Sequence, residues 1–298
     1  MNLRWLLWLL PWVLVGCGGL PPSHPAKSDR SPAEREIVTD CSAMIDADRA
    51  TLVIAEPATG RSWVCQSERA QQRFVPASTY KIPHTLIALE TGAVDATTTS
   101  FVWDGRDRGV AVWNRDLSLA DAVKVSAVWV FQDVAARVGT DLESAWTRRL
   151  AYGNAHVGAH SELRHFWLSG PLTISAREQV DFLMRLREGG LPVSEASRSQ
   201  TIAALRLGDT IEGYAIHGKT GAMLPIDDEG FLRLNDATLL PADSERTGWF
   251  VGWIDRSAVQ GGPIYFAHNL DLSLPKAMAA RTAAAYAVLR ANGLPAPE

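Results

Sequence analysis

Ser78 and Lys81 stand three residues apart at the head of an apolar segment, "RFVPASTYKIPHTLIALETG", Arg73 to Gly92. Residues at i and i+3 share a helix face, so the hydroxyl and the amine would point the same way. A serine is a weak nucleophile until a base takes its proton. A lysine held in an apolar pocket loses its charge and becomes such a base. The spacing therefore offers nucleophilic chemistry. A helix N-terminus at Ser78 would also favour an oxyanion there. Pro76 suits chain entry into a helix, and Pro83 removes one backbone donor, so the first turn is expected to be irregular. Alone the pair is weak, because a chain of this size holds about one S-x-x-K by chance. Ser273-Leu274-Pro275-Lys276 is a second match, and S-A-V occurs at both Ser126 and Ser257. Weight comes from the order of the motifs downstream: Ser126-Ala127-Val128, then Tyr152-Gly153-Asn154, then His217-Gly218-Lys219-Thr220-Gly221.

The elements that would carry these residues change character along the chain. "ATLVIAEPATGRSWVCQ" reads as a hairpin around a Pro/Gly turn. "TLIALETG" is an apolar helix with Gly92 at its end. Residues from about 116 to 190 carry helical spacing, one segment stopping at Gly139 and another opening on the capping box Ser175 and Glu178. Beyond residue 205, "IEGYAIHGKTGAM", "GWFVGWID" and "GPIYFAHNLDL" read as short strands, and "AMAARTAAAYAVLRANG" closes the chain as a helix. Strands flanking a helical middle predict an α+β sandwich, an antiparallel sheet with helices on its faces and an all-helical lobe at about 95–195 inserted into it. No internal repeat is present.

The chain has 298 residues, 47% hydrophobic and 21% charged, with net charge -4. That balance gives one large domain or two lobes. The absence of a basic tract argues against nucleic acid as a partner. Arg4 precedes the apolar run "WLLWLLPWVLVG", which is too short for a comfortable membrane span and ends at Cys17. Leu14-Val15-Gly16-Cys17 resembles a bacterial lipobox, which implies a lipid anchor on Cys17. The competing reading is a plain secretory signal with an incidental cysteine. Either predicts export, with 1–17 as signal, 18–40 as flexible tether and 41–298 as the working domain. Membrane contact would come only through the anchor. Cys41 and Cys65 remain, a plausible disulfide in an oxidising compartment or else two buried thiols.

The ordered motifs resemble those of penicillin-recognising serine enzymes. The text around them, "PASTYKIPHTLIALETG", "WNRDLSLADAVKVSAVWVFQDVAARVG", "FWLSGPLTISAREQVDFL", "HGKTGA" and "GWFVGWID", is similar to class D serine β-lactamases, the oxacillinase family, from about Thr51 to Leu289. The resemblance implies a β-lactamase/transpeptidase-like fold and β-lactam substrates. It implies that Ser78 forms an acyl-enzyme and that Lys81, carboxylated by CO2, is the general base; no other cofactor is expected. Trp167 would hold the carbamate and Val128 would wall it. Ser126 would pass a proton to the leaving nitrogen, and Lys219, Thr220 and Gly221 would face the substrate carboxylate. The N–H groups of Ser78 and Ala222 would form the oxyanion hole. Arg281 on the last helix would bind the carboxylate, with Lys276 as competitor. Tyr152 and Asn154 would shape a loop rather than react. Monomer and homodimer both stay open.

Two features depart from the family. Tyr80 stands where phenylalanine is commoner, and its buried hydroxyl needs a partner. The connection 223–247 after the K-T-G strand is long and acidic, and is expected to influence substrate preference. Three rival readings compete. A penicillin-sensor domain would be acylated and stay acylated. A transpeptidase would lack the text around Trp167. A metalloenzyme would use His156, His160 and His165, which read better as loop histidines; no metal is expected.

Overall fold

Residues 36–295 are described by the structure, a computed structural model, except 40, 43, 45–46, 237–238, 240–245 and 274–275. The signal segment and Cys17 lie outside the described residues. β1 (Glu36–Val38) is an edge strand, followed by the hairpin of β2 (Ala50–Glu56) and β3 (Arg61–Cys65). The short α1 (Ser67–Gln71) and β4 (Arg73–Phe74) lead into α2 (Lys81–Glu90). β5 (Ser100–Phe101) and β6 (Leu117–Ser118) pair with each other and lead to α3 (Leu119–Val125), α4 (Val128–Val138) and α5 (Thr140–Arg149). β7 (Ile174–Ser175), α6 (Ala176–Glu188) and α7 (Glu195–Ala204) return the chain to the sheet. β8 (Arg206–Ile211), β9 (Tyr214–Ala222), β10 (Thr247–Asp255) and β11 (Ile264–Asp271) complete the sheet, and α8 (Ala277–Ala291) is the last helix.

The main sheet has the order β1-β3-β2-β11-β10-β9-β8. All its pairs are antiparallel except β1 with β3. Its central strands are apolar on both faces because helices cover both. On β11, Ile264 and Phe266 face one way, with Ala285, Val288 and Leu289 of α8 in their cluster. Tyr265 and Ala267 face the other way, into the cluster that holds α2, α4 and α6. Strand alternation thus builds two cores from one strand.

Two expected boundaries are corrected. The tether does not run free to residue 40: Ile37 and Val38 pair with Trp63 and Val64 and extend the sheet edge. The helical lobe does not reach 195. α6 packs against β2, β10 and β11. Tyr265 of β11 donates to Glu188 at 3.0 Å, and Arg187 pairs with Asp255 of β10 at 2.7 Å. The capping box that opens α6 is present, with Ser175 accepting from the Glu178 N–H at 3.2 Å. Cys41 and Cys65 are joined as a disulfide with Cα atoms 5.8 Å apart.

Candidate active site

Ser78 lies in a 3-10 turn, Ala77–Tyr80, and Lys81 opens α2. The irregular first turn is therefore real. Ala77, just before the nucleophile, has φ 48, a left-handed conformation that is costly for a residue with a Cβ. Surrounding bonds hold it there. Trp249 of β10 donates its indole N–H to the Val75 carbonyl at 2.9 Å, and Thr79 donates to the Pro76 carbonyl at 2.8 Å. Gln179 of α6 donates to the Thr79 hydroxyl at 2.8 Å. β9 completes the clamp. A Cβ on Gly221 would sit 2.9 Å from the Pro76 carbonyl oxygen, so only glycine lets the strand approach the nucleophile turn this closely.

Lys81 Nζ and Ser78 Oγ are 2.9 Å apart. Lys81 is wholly buried and Ser78 nearly so. Burial, then the charge of Lys219, holds the Lys81 amine well below the ordinary lysine range. Nζ lies 5.3 Å from the centre of the Phe131 ring. His84 packs on that same ring at 5.4 Å and on Trp167 at 5.3 Å. Val128 and Trp167 are buried in the same cluster. The Trp167 indole N–H is buried without a hydrogen-bond partner among the described residues. That orphan donor is costly unless an acceptor meets it.

Facing this pair is a second. Lys219 Nζ donates to Ser126 Oγ at 3.0 Å and to the Thr220 carbonyl at 3.1 Å. Burial, then the charge of Arg281, brings the Lys219 amine down to about 7. Ser126 caps α3 in a left-handed conformation, φ 60, which turns the chain between α3 and α4 and presents the hydroxyl to β9. Arg281 Nη1 donates to the Gly221 carbonyl at 2.8 Å, so the α8 arginine does reach the K-T-G strand. Lys276, the competitor, is exposed at the N-terminus of α8. Ala222 ends β9, opposite Gly248. Asn154 is a loop clamp: it donates to the Pro171 carbonyl at 3.0 Å and accepts from the Thr173 N–H at 3.1 Å. Tyr152 packs on Tyr80 and Phe182.

The chance matches lie elsewhere. Ser273 accepts from Arg49 at 3.1 Å, and Ser257 closes a short 3-10 turn with Gln260. His160 contacts Thr140 and His165 contacts Asp228, each at 3.0 Å.

Over 223–236 the long connection after β9 straps the strand to the helical lobe. Gln132 of α4 donates to the Asp227 carbonyl at 2.9 Å, and Arg108 donates to the Glu229 carbonyl at 3.0 Å. Phe231 is buried among the guanidinium groups of Arg106, Arg233 and Arg108, at 4.3, 4.7 and 5.3 Å from its ring centre. Sequence reading missed Gln179, Trp249, His84 and Glu143. Their partners come from distant elements, and no local pattern marks them.

A serine beside a buried lysine, with Ser126 and Lys219 opposite, on an antiparallel sheet covered by helices, defines a penicillin-recognising serine acyl-transfer fold. Residues 49–290 match the family described as the penicillin binding protein transpeptidase domain. The chain is 35% identical over 227 residues to β-lactamase OXA-5 of Pseudomonas aeruginosa, covering 76% of this chain and 77% of that protein. It is 36% identical over 224 residues to β-lactamase OXA-48 of Klebsiella pneumoniae, covering 75% and 76%. Among solved structures, the class D β-lactamase YbXI from Nostoc superposes with TM-score 0.74 at 28% identity, covering 86% of this chain and 99% of that one. FUS-1 (OXA-85), a class D β-lactamase from Fusobacterium nucleatum subsp. polymorphum, superposes with TM-score 0.69 at 31% identity, covering 82% and 92%. The chain belongs to the class D β-lactamases.

Proposed function

We infer that this chain hydrolyses the β-lactam amide, and so confers β-lactam resistance, through an acyl-enzyme on Ser78. The observation that carries the mechanism is the 2.9 Å contact between Ser78 and the fully buried amine of Lys81. Burial favours the neutral form of that amine, which suits it to accept a proton and also to take up CO2. Trp167 supplies a donor-only N–H in a dry wall, a good match for a carboxylated Lys81, with Val128 and Phe131 as apolar lining. When carboxylated, Lys81 supplies an anionic base for acylation and for activating the hydrolytic water.

Ser78 Oγ bonds to the lactam carbonyl carbon, and the C–N bond breaks. Ser126 delivers a proton to the departing nitrogen and is resupplied through Lys219. Lys219, Thr220 and Arg281 hold the substrate carboxylate, and the N–H groups of Ser78 and Ala222 take the developing oxyanion. Water then cleaves the Ser78 ester. The run ending at Cys17 supports export to the bacterial periplasm with a lipid anchor at that cysteine. Among the described residues no helix is long and apolar enough to cross a membrane.

The test is bicarbonate. Turnover should fall in CO2-depleted buffer at acid pH and recover when bicarbonate is added. Turnover indifferent to bicarbonate across that range would mean an unmodified Lys81.

A further inference from the structure

Beside the Lys81 pocket lies a buried polar cluster that the reaction above does not use. Tyr80, His84, Glu143 and Thr147 are each fully buried. The Tyr80 hydroxyl oxygen is 2.6 Å from Glu143 Oε1 and 2.8 Å from Thr147 Oγ1. Thr147 Oγ1 is 2.7 Å from the Glu143 main-chain carbonyl oxygen. These are three short oxygen–oxygen contacts, and each needs a hydrogen between its atoms. Tyr80 and Thr147 bring only one hydrogen each. The third must come from the Glu143 carboxyl group. In the arrangement that satisfies all three, Thr147 donates to the carbonyl, Tyr80 donates to Thr147, and Glu143 donates to Tyr80.

His84 links this cluster to the base. Its Nε2 is 3.5 Å from Glu143 Oε2, and its ring shares the Phe131 face with Lys81 Nζ. Burial, then the charge of Lys81, brings His84 down to about 3. Burial pushes the Glu143 carboxyl up to about 8. Both groups are then neutral near pH 7, and their contact is not an ion pair. The titratable groups around Glu143 are Tyr80, His84 and, one layer out, Lys81 and Tyr152. α4 faces the cluster with Phe131, and the loop after α5 with Phe166 and Trp167.

We propose that Glu143 is held as a neutral carboxylic acid by Tyr80 and Thr147, and that this neutrality keeps the Lys81 chamber free of a competing negative charge. Glu143, with Tyr80 and His84, is a positioning residue for the hydrolytic reaction. Loss of its proton at alkaline pH puts an anion next to His84. That anion draws a proton back toward Lys81 and repels an anionic base there, so turnover falls. The proposal rests on the reading of Lys81 as the base.

The test pairs an infrared spectrum with a pH profile. The wild-type-minus-Glu143→Gln difference spectrum at pH 7 should show the carbonyl stretch of a protonated carboxyl group. In wild type that band should fade as pH rises past about 8. Tyr80→Phe, which removes the acceptor of the Glu143 proton, should shift the band, and this arm stands if the glutamine variant does not fold. In kcat/KM, Glu143→Gln should keep most of the neutral-pH rate where Glu143→Ala loses about tenfold or more. The alkaline limb should move to higher pH in Glu143→Gln. No protonated-carboxyl band at pH 7, or an alkaline limb unmoved by glutamine, overturns the proposal. The band is read without substrate, so it decides the state of Glu143 even if no β-lactam is turned over, a result that would instead sink the hydrolase reading.

Discussion

At the residue scale, the site works by placing a lysine where a lysine is least stable. Burial of Lys81 holds its amine well below the ordinary lysine range in the folded chain, while in the unfolded chain it is protonated up to about pH 10.5. Folding therefore releases a proton, and wild-type stability rises with pH across that window. Lys81→Met should remove this burden and abolish hydrolysis. In CO2-depleted buffer its Tm should exceed wild type by about 2–8 °C near neutrality, with the gain shrinking toward pH 10. Thermal melts across pH check this, and a Tm that falls at every pH would contradict it. The motif residues were legible because their chemistry is local in sequence: Ser78 with Lys81 on one turn, and Lys219 to Gly221 on one strand. Glu143 was not. It reads as a surface residue of a polar helix until Tyr80, from another element, delivers its hydroxyl.

At the element scale, β9 presses on the nucleophile turn, and α3 and α4 bring Ser126 to meet it. The helix starts and stops were readable from caps: Ser175 opens α6, Gly189 closes it, and Gly139 lies between α4 and α5. The lobe boundary was not, because α6 carries helical periodicity whether its apolar face meets helices or a sheet. The connection after β9 was legible as an insertion but not as a strap, since Phe231 finds its three arginines only in the folded chain. The strap joins the K-T-G strand to the helical lobe, so releasing it should alter access to the site. Phe231→Ala should change the ratio of kcat/KM between small penicillins and bulkier β-lactams by about threefold or more, with a smaller change in total stability than a core Phe→Ala, which costs ~3–5 kcal/mol. An unchanged ratio would mean that the strap has no part in selection.

At the scale of the whole molecule, the sheet depends on joining distant parts of the chain. β2 pairs with β11 and β3 with β2, and α8 covers their joint face. The disulfide ties the segment before β2 to the end of β3. Its sequence separation is 24 residues, and a closed loop of that size is worth ~3 kcal/mol. Cys41→Ser with Cys65→Ser should lower Tm by about 6–12 °C while leaving turnover at 25 °C near wild type. Differential scanning calorimetry with a parallel rate assay reads both, and an unchanged Tm would show that the bridge adds nothing. The α+β order was legible from the change of hydrophobic period along the chain; the parallel β1 edge was not, because three residues carry too little pattern. The central claim is that Ser78 is acylated and then released. It is tested most directly by mixing the protein with excess chromogenic β-lactam, counting product per protein molecule, and weighing the intact protein. Many turnovers with no lasting adduct are expected, whereas Lys81→Met, which lacks the base for both steps, should show neither turnover nor rapid acylation of Ser78. A single equivalent of product with wild-type protein left acylated would contradict the account.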